Sequence, residues 1–293
     1  MELKQYPYFF NKIISFTLVT SCVFSLSITF NRMALADFVP APNEGTRKPR
    51  VSEPGGVRSH VETVRFVPAP RRETTSEGKR NSDSGTTRMG GCETGEIPLT
   101  LLASLNYVGQ TISTRPTLAW FVPDSQSFNL EFRLYEYGLD SELKQVGNEI
   151  LLKSSPGIMK LSPIEPETPG LSVGKKYLWQ VTIICNPNDP SQDLLATAEF
   201  RVVDRQLIYS RNLEDLTTLE KVDLYAQEGL WYDALSEALK LSKESKLGEV
   251  GSALLESLAK WEEPEATQQV TSQQREEIEH HIQHLRQIAI SEQ

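Results

Sequence analysis

The chain lacks most of what catalysis is built from. Its 293 residues include four histidines, His60, His280, His281 and His284, and none lies between residues 97 and 205. A nucleophile needs a base and a group to orient that base, and no G-x-S-x-G turn marks a serine for the role. H-E-x-x-H is missing, as is a glycine loop of either common phosphate-binding kind. His280 and His284 stand four apart, which is ligand spacing for a divalent metal, with Glu276 or Glu277 one turn away. Without a third close protein ligand they read more plainly as polar helix surface. The pair Glu262-Glu263 suggests acid/base work, but at the end of a charged helix it faces solvent by default. No catalytic, cofactor-binding or metal-binding residue is assigned, and no cofactor is expected.

Cysteine is scarce as well, with only Cys22, Cys92 and Cys185. Long apolar runs are missing except near the start. Lys4 and Lys12 precede an uncharged stretch, residues 13–30, and Ala34-Leu35-Ala36 follows it. That order describes a secretory signal peptide, residues 1–36, cut after Ala36. Two rival readings exist: a retained anchor, because the stretch could just span a bilayer, and lipidation, because Val19-Thr20-Ser21-Cys22 has a lipobox pattern. Ser and Thr dilute the stretch, which weakens the first. Apolar residues after Cys22 weaken the second, since a mature lipoprotein normally begins with a polar tether. The expectation is an extracytoplasmic protein, periplasmic or secreted, with no transmembrane span in the mature chain. Cys92 and Cys185 are then either paired or two separate thiols, one buried and one exposed. An oxidising compartment favours the pair, which would stabilise by about 4–5 kcal/mol in the chain-entropy model.

Positive charge is short too, with a net charge of −9. Residues 1–36 hold three basic groups and one acidic; residues 37–91 hold ten Lys or Arg against seven Asp or Glu. The deficit therefore sits in residues 92–293, and an acidic body argues against nucleic acid as a partner. In residues 37–91 only 11 of 55 side chains are apolar or aromatic. That is too few to offset the entropy of ordering them, so the segment reads as a disordered Pro/Arg-rich tether. Within it Phe38-Val39-Pro40-Ala41-Pro42 recurs as Phe66-Val67-Pro68-Ala69-Pro70. This is a duplicated linker, or two hooks that dock a partner as polyproline helices. Arg47, Lys48, Arg50, Arg71 and Arg72 could touch anionic lipid or wall polymer, although a charge run is usually just solvated.

From residue 97 the pattern takes period two. Phe128, Leu130, Phe132 and Leu134 alternate with polar neighbours, as in a half-buried strand. Leu118, Trp120 and Val122 make a second strand, Tyr177, Trp179, Val181 and Ile183 a third, and Leu194 through Val202 a fourth. Residues 99–107, 146–153 and 157–162 are weaker candidates. Seven short strands with turn signals predict an antiparallel sandwich over residues 92–205. Leu171-x-x-Gly174-x-x-Tyr177-x-Trp179-x-Val181 resembles the sixth strand of fibronectin type III-like domains, where the tyrosine bonds back across a corner. On that reading Trp120 sits in the core, and Cys185, on the parity of Tyr177, is partly buried.

From residue 213 the period becomes helical. Leu216, Leu219, Val222 and Tyr225/Ala226 share a face, Gly229 breaks the run, and Trp231, Ala234, Leu235, Ala238 and Leu239 continue it. Tyr225-Ala226-x-x-Gly229-x-Trp231 looks like the corner of a tetratricopeptide repeat. A third helix carries Val250, Ala253, Leu254, Leu258 and Trp261, ended by Pro264. So few repeats rarely stand alone, so these helices, residues 206–264, pack on the sandwich or on each other as a small bundle. A last amphipathic helix, near 271–290 within the C-terminal segment 265–293, aligns Ile278, Ile282, Leu285 and Ala289. Docking, pairing with another copy and loose order are all open to it, and the oligomeric state stays unassigned.

Residues 85–262 resemble a cyanobacterial family known as domain of unknown function 928. The resemblance runs through Gly85-Thr86-Thr87-Arg88 before Cys92, Arg115-Pro116-Thr117-Leu118-Ala119-Trp120-Phe121-Val122-Pro123, and Ser155-Pro156-Gly157-Ile158. It continues in Tyr177-Leu178-Trp179, Cys185-Asn186-Pro187 and Tyr225-Ala226-x-x-Gly229-Leu230-Trp231-Tyr232-Asp233-Ala234-Leu235. It implies an exported cyanobacterial protein and brings no established activity. The chain departs from the family in a thinner glycine tract before Cys92 and in the added C-terminal helix. The reading is an exported β-sandwich with a helical bundle, more a binding or scaffold module of the cell envelope than an enzyme, with a protein or envelope polymer as partner. Its rivals are a glycan-binding module using exposed aromatics, with Tyr135, Tyr137 and Tyr232 as candidates, each more simply read as edge packing, and an enzyme whose site the sequence does not reveal.

Overall fold

Alternation decides the strands. In the computed structural model, which describes residues 64–67, 92, 95–123, 126–208, 212–263 and 271–293, the strands are β1 (Thr100–Leu101), β2 (Gly109–Thr111), β3 (Leu118–Val122), β4 (Asn129–Tyr137), β5 (Leu143–Gln145), β6 (Ile150–Lys153), β7 (Gly157–Leu161), β8 (Lys176–Ile184) and β9 (Leu194–Val202). The expected signal peptide with its Ala36 cleavage site, Cys22, Arg47, Lys48, Arg50, His60, Arg71, Arg72, Pro264 and most of the tether lie outside the described residues. By their contacts the described residues belong to one unit, residues 58–293.

One sheet has the order β1-β3-β7; the other runs β2-β9-β8-β4-β5, with β6 also paired to β4. Leu130, Phe132 and Leu134 of β4 are buried, while Glu131, Arg133 and Tyr135 between them are partly exposed, the signature of a half-covered strand. Register places Leu134 of β4 and Ala198 of β9 on either side of Trp179, so a small side chain makes room for a large one. Trp120 of β3 then meets Phe132 at 6.2 Å and Trp179 at 6.4 Å between ring centroids. Those three rings join the two sheets.

The sheets carry nine strands among the described residues, against seven in the sequence reading. The additions, β2 and β5, have three residues each, too few to display a period. One pairing, β2 with β9, is parallel; the rest are antiparallel. All five residues of β3 are buried, including Ala119 and Phe121 on the face away from Trp120. The smaller sheet is therefore covered on both sides, and the helices supply its second cover.

The helices are α1 (Thr218–Gln227), α2 (Trp231–Ala238), α3 (Gly248–Trp261) and α4 (Ser272–Ser291). Thr217 and Glu220 cap α1 reciprocally, and Thr271 and Gln274 do the same for α4, satisfying amide groups a helix start leaves unpaired. After α1 the chain turns at Gly229, whose φ of 73° is left-handed and suits glycine. Ile278, Ile282, Leu285 and Ala289 of α4 are buried, and α4 packs along α3. Of the three fates open to the last helix, docking is the one observed. Buried residues of sheets and helices form one continuous core.

Candidate functional site

Four residues of the expected tether are described, and they are docked. Val64 and Phe66 are buried, while Arg65 is exposed. The Phe66 ring lies edge-on to Trp231, 5.1 Å between centroids with the planes at 76°. Ser257 of α3 accepts the Phe66 amide at 2.9 Å and returns a bond to the Phe66 carbonyl at 3.3 Å. Trp261 Nε1 donates to the same carbonyl at 2.7 Å, and the Val67 amide donates to the Ala226 carbonyl at 2.8 Å. Composition averaged over 55 residues hides such a site: one Phe and one Val suffice when the surrounding backbone is satisfied. Beside this socket runs a half-open groove of about 540 Å³, lined by Val64, Arg65, Ala253, Glu256, Ser257, Lys260 and Trp261.

A second group of polar side chains pins the helices to the sheets. Trp231 Nε1 donates to the Leu102 carbonyl at 2.8 Å. Asp233, in the first turn of α2, accepts the Ile112 amide at 3.0 Å. Burial pushes its carboxyl up to about 7, against hydrogen bonds from Ile112, Thr111 and Ser113 that favour the charged form. His281 of α4 is buried and bonded to the Ala103 carbonyl at 3.0 Å. A carbonyl only accepts, so Nε2 carries the proton. Burial holds the imidazole down at about 4, so it is neutral at ordinary pH.

Glu262 corrects the sequence reading, because it is fully buried rather than solvent-facing. It lies just past α3 and its Oε2 accepts the Leu105 and Asn106 amides at 3.2 and 3.1 Å. Glu263 is exposed and pairs with Arg286 at 2.9 Å.

Tyr232 is a second correction: it is core, 1% exposed, and not a surface aromatic. Its hydroxyl accepts Trp179 Nε1 at 3.3 Å and donates to the Glu199 carbonyl at 3.4 Å. Burial pushes its phenol above the usual range. A Cβ at Gly109 would sit 2.7 Å from the Tyr232 ring, so glycine there admits the ring. Tyr135 and Tyr137 remain partly exposed on β4, with the Tyr137 hydroxyl donating to Glu199. His280 is exposed and His284 half-buried. Among the described residues no three His, Cys, Asp or Glu side chains converge as metal ligands. Cys92 and Cys185 stand as a disulfide pair, their Cα atoms 5.3 Å apart, which ties the chain before β1 to the end of β8.

Sequence reasoning missed Asp233, Ser257 and the Phe66 socket. The recurrence of Phe-Val-Pro-Ala-Pro was the available signal for the last. Asp233 stood inside a quoted motif, but nothing in its spacing announces a distant backbone partner.

What these elements define is a β-plus-α fold whose helices are anchored to its sheets by buried polar side chains and hold residues 64–67 against α3. Among the described residues no helix is long and apolar enough to cross a membrane. The family model described as Domain of Unknown Function (DUF928) matches residues 83–270, and the chain belongs to that family. No curated protein and no solved structure matches it. Both α4 and the docked Val64–Val67 segment fall outside the matched residues, and both pack on α3.

Proposed function

We propose that the protein is an exported, non-catalytic binding or scaffold module of the cell envelope of a cyanobacterium. It works by surface complementarity toward a protein or envelope polymer. The observation that carries this reading is the face of α3. There an extended segment is held through its main chain and one aromatic anchor, the way grooves hold peptides, and the groove beside it stays open. Export is supported by residues 1–36 and by the paired cysteines.

The β layer supports an immunoglobulin or fibronectin III-like sandwich. A sheet β1-β3-β7 faces β5-β4-β8-β9, with β2 running parallel along the last strand. The Tyr177 hydroxyl accepts the Ser172 amide at 2.9 Å, a bond back across the corner five residues upstream. The α1–α2 turn at Gly229, with Tyr225, Ala226 and Trp231 buried around it, supports a tetratricopeptide-like corner. A glycan-binding reading keeps Tyr135 and Tyr137, two apart on one face of β4, and loses Tyr232.

The test is a photo-crosslinking residue placed at Lys260, in the groove, and separately at Lys144, on β5, in intact cells. One discrete adduct from position 260 and none from 144 is the expected result. Recovery of the chain alone from both would count against a partner on α3. Mature protein should begin at Asp37; intact Met1 on protein from the cytosol would end the export reading.

A further inference from the structure

The socket that holds Phe66 has a second candidate ligand in the same sequence. Among the described residues, the segment is held to it through the main chain of Phe66 and Val67, and the Phe66 ring meets Trp231. Phe38-Val39 offers the same ring and the same main-chain groups, followed by the same Pro-Ala-Pro. A proline after the valine restricts that residue to extended backbone in both copies, so each reaches the socket with part of its ordering already done.

We infer that the socket formed by Ala226, Trp231, Ser257 and Trp261 is a recognition site for the Phe-Val pair that opens each repeat, and that Phe38-Val39 of the same chain occupies it when Phe66 leaves. Two differences between the copies explain why Phe66 is the resident. Val64, which is buried, has no counterpart in a mature chain that begins at Asp37, so the first copy loses that burial. Chain length points the same way. Phe66 is 26 residues from Cys92, the next described residue, and Phe38 is 54. Effective concentration falls with roughly the 3/2 power of a flexible connection, a handicap of about threefold for Phe38. The flanking charges do not discriminate. Arg65 corresponds to Asp37, and the groove offers Glu256 and Lys260, one of each sign. Exchange would lengthen the loop between socket and disulfide by 28 residues and shorten the arm before the socket equally. The inference does not depend on the envelope partner proposed above.

Amide hydrogen exchange on the full mature chain tests it, comparing Phe66→Ala with Phe38→Ala/Phe66→Ala. In the single variant Val39 takes the place of Val67 against the Ala226 carbonyl, so its amide should exchange about tenfold or more slowly than in the double variant. Phe66→Leu, which weakens the resident without emptying the socket, should give an intermediate rate at Val39. Equal rates at Val39 in all three chains would overturn the inference. So would a Phe66→Ala chain that fails to fold, because Phe38 is there to fill the gap. Protection at Val39 that appears only on concentrating the protein, together with a dimer in sedimentation, would reject the same-chain ligand in favour of a second copy.

Discussion

The sheets and the helices bury different chemistry. In the sheets the large buried side chains are rings that meet each other: Trp120, Phe132 and Trp179 in one group, Tyr177 and Phe200 in another, which Tyr232 of α2 joins. Where helices meet sheets, the contacts that fix position are polar: Trp231 to Leu102, Asp233 to Ile112, Glu262 to Leu105 and Asn106, His281 to Ala103. Apolar burial is non-directional and tolerates small slips. A buried carboxyl or imidazole bonded to particular main-chain groups does not, because a lost partner leaves an unsatisfied polar atom. The β layer is thus fixed by volume, and the helical layer by address.

Substitutions can break that comparison. The largest loss is expected for Trp179→Ala, up to about 5 kcal/mol, from the cavity and lost transfer energy. Urea unfolding measures it, and a greater loss from Asp233→Ala would reverse the ranking. Next, Cys185→Ser should cost about 4 kcal/mol, since a long loop is freed in the unfolded chain. Reducing agent on the unaltered protein should reproduce that loss, and the helices have no equivalent staple.

The polar joint predicts a pH signature of about 4 kcal/mol from Asp233 and about 3 kcal/mol from His281, in opposite directions. Asp233 is raised in the folded state to about 7, so its share of stability is present below the ordinary carboxyl range and lost as pH rises toward 7. His281 is depressed to about 4, so its share is present above the ordinary imidazole range and lost as pH falls through 4. Between about pH 4 and 6.5 the two slopes offset each other. Asp233→Asn should expose a stability that climbs with pH across that window, and His281→Asn one that declines. Unfolding midpoints measured across the window decide it; parallel curves for the two variants would contradict the assignment. The smallest effect sharpens the β side. Tyr177→Phe removes the corner bond to Ser172 and should cost about 1 kcal/mol with the fold intact.

How much of this the sequence disclosed follows from the same contrast. β3, β4, β8 and β9 were legible because inward positions repeat every second residue over five to nine residues. All four helices were legible from their apolar faces, and α4 within a residue or two of its ends. β2 and β5 were not, because three residues carry no period. Glu262 and Tyr232 were misplaced for a deeper reason. Whether a lone glutamate or tyrosine is buried depends on which main-chain group stands opposite, and Leu105 is 157 residues away from Glu262. Phe66 was misplaced because a composition average cannot register one anchor. Tyr177 was placed correctly, since its partner is five residues upstream.

Joining by polar address makes sheets and helices one cooperative body, and calorimetric unfolding of the protein tests this most directly. The account predicts one transition whose calorimetric and van't Hoff enthalpies agree. Two resolved transitions, with the helices melting apart from the sheets, would contradict it.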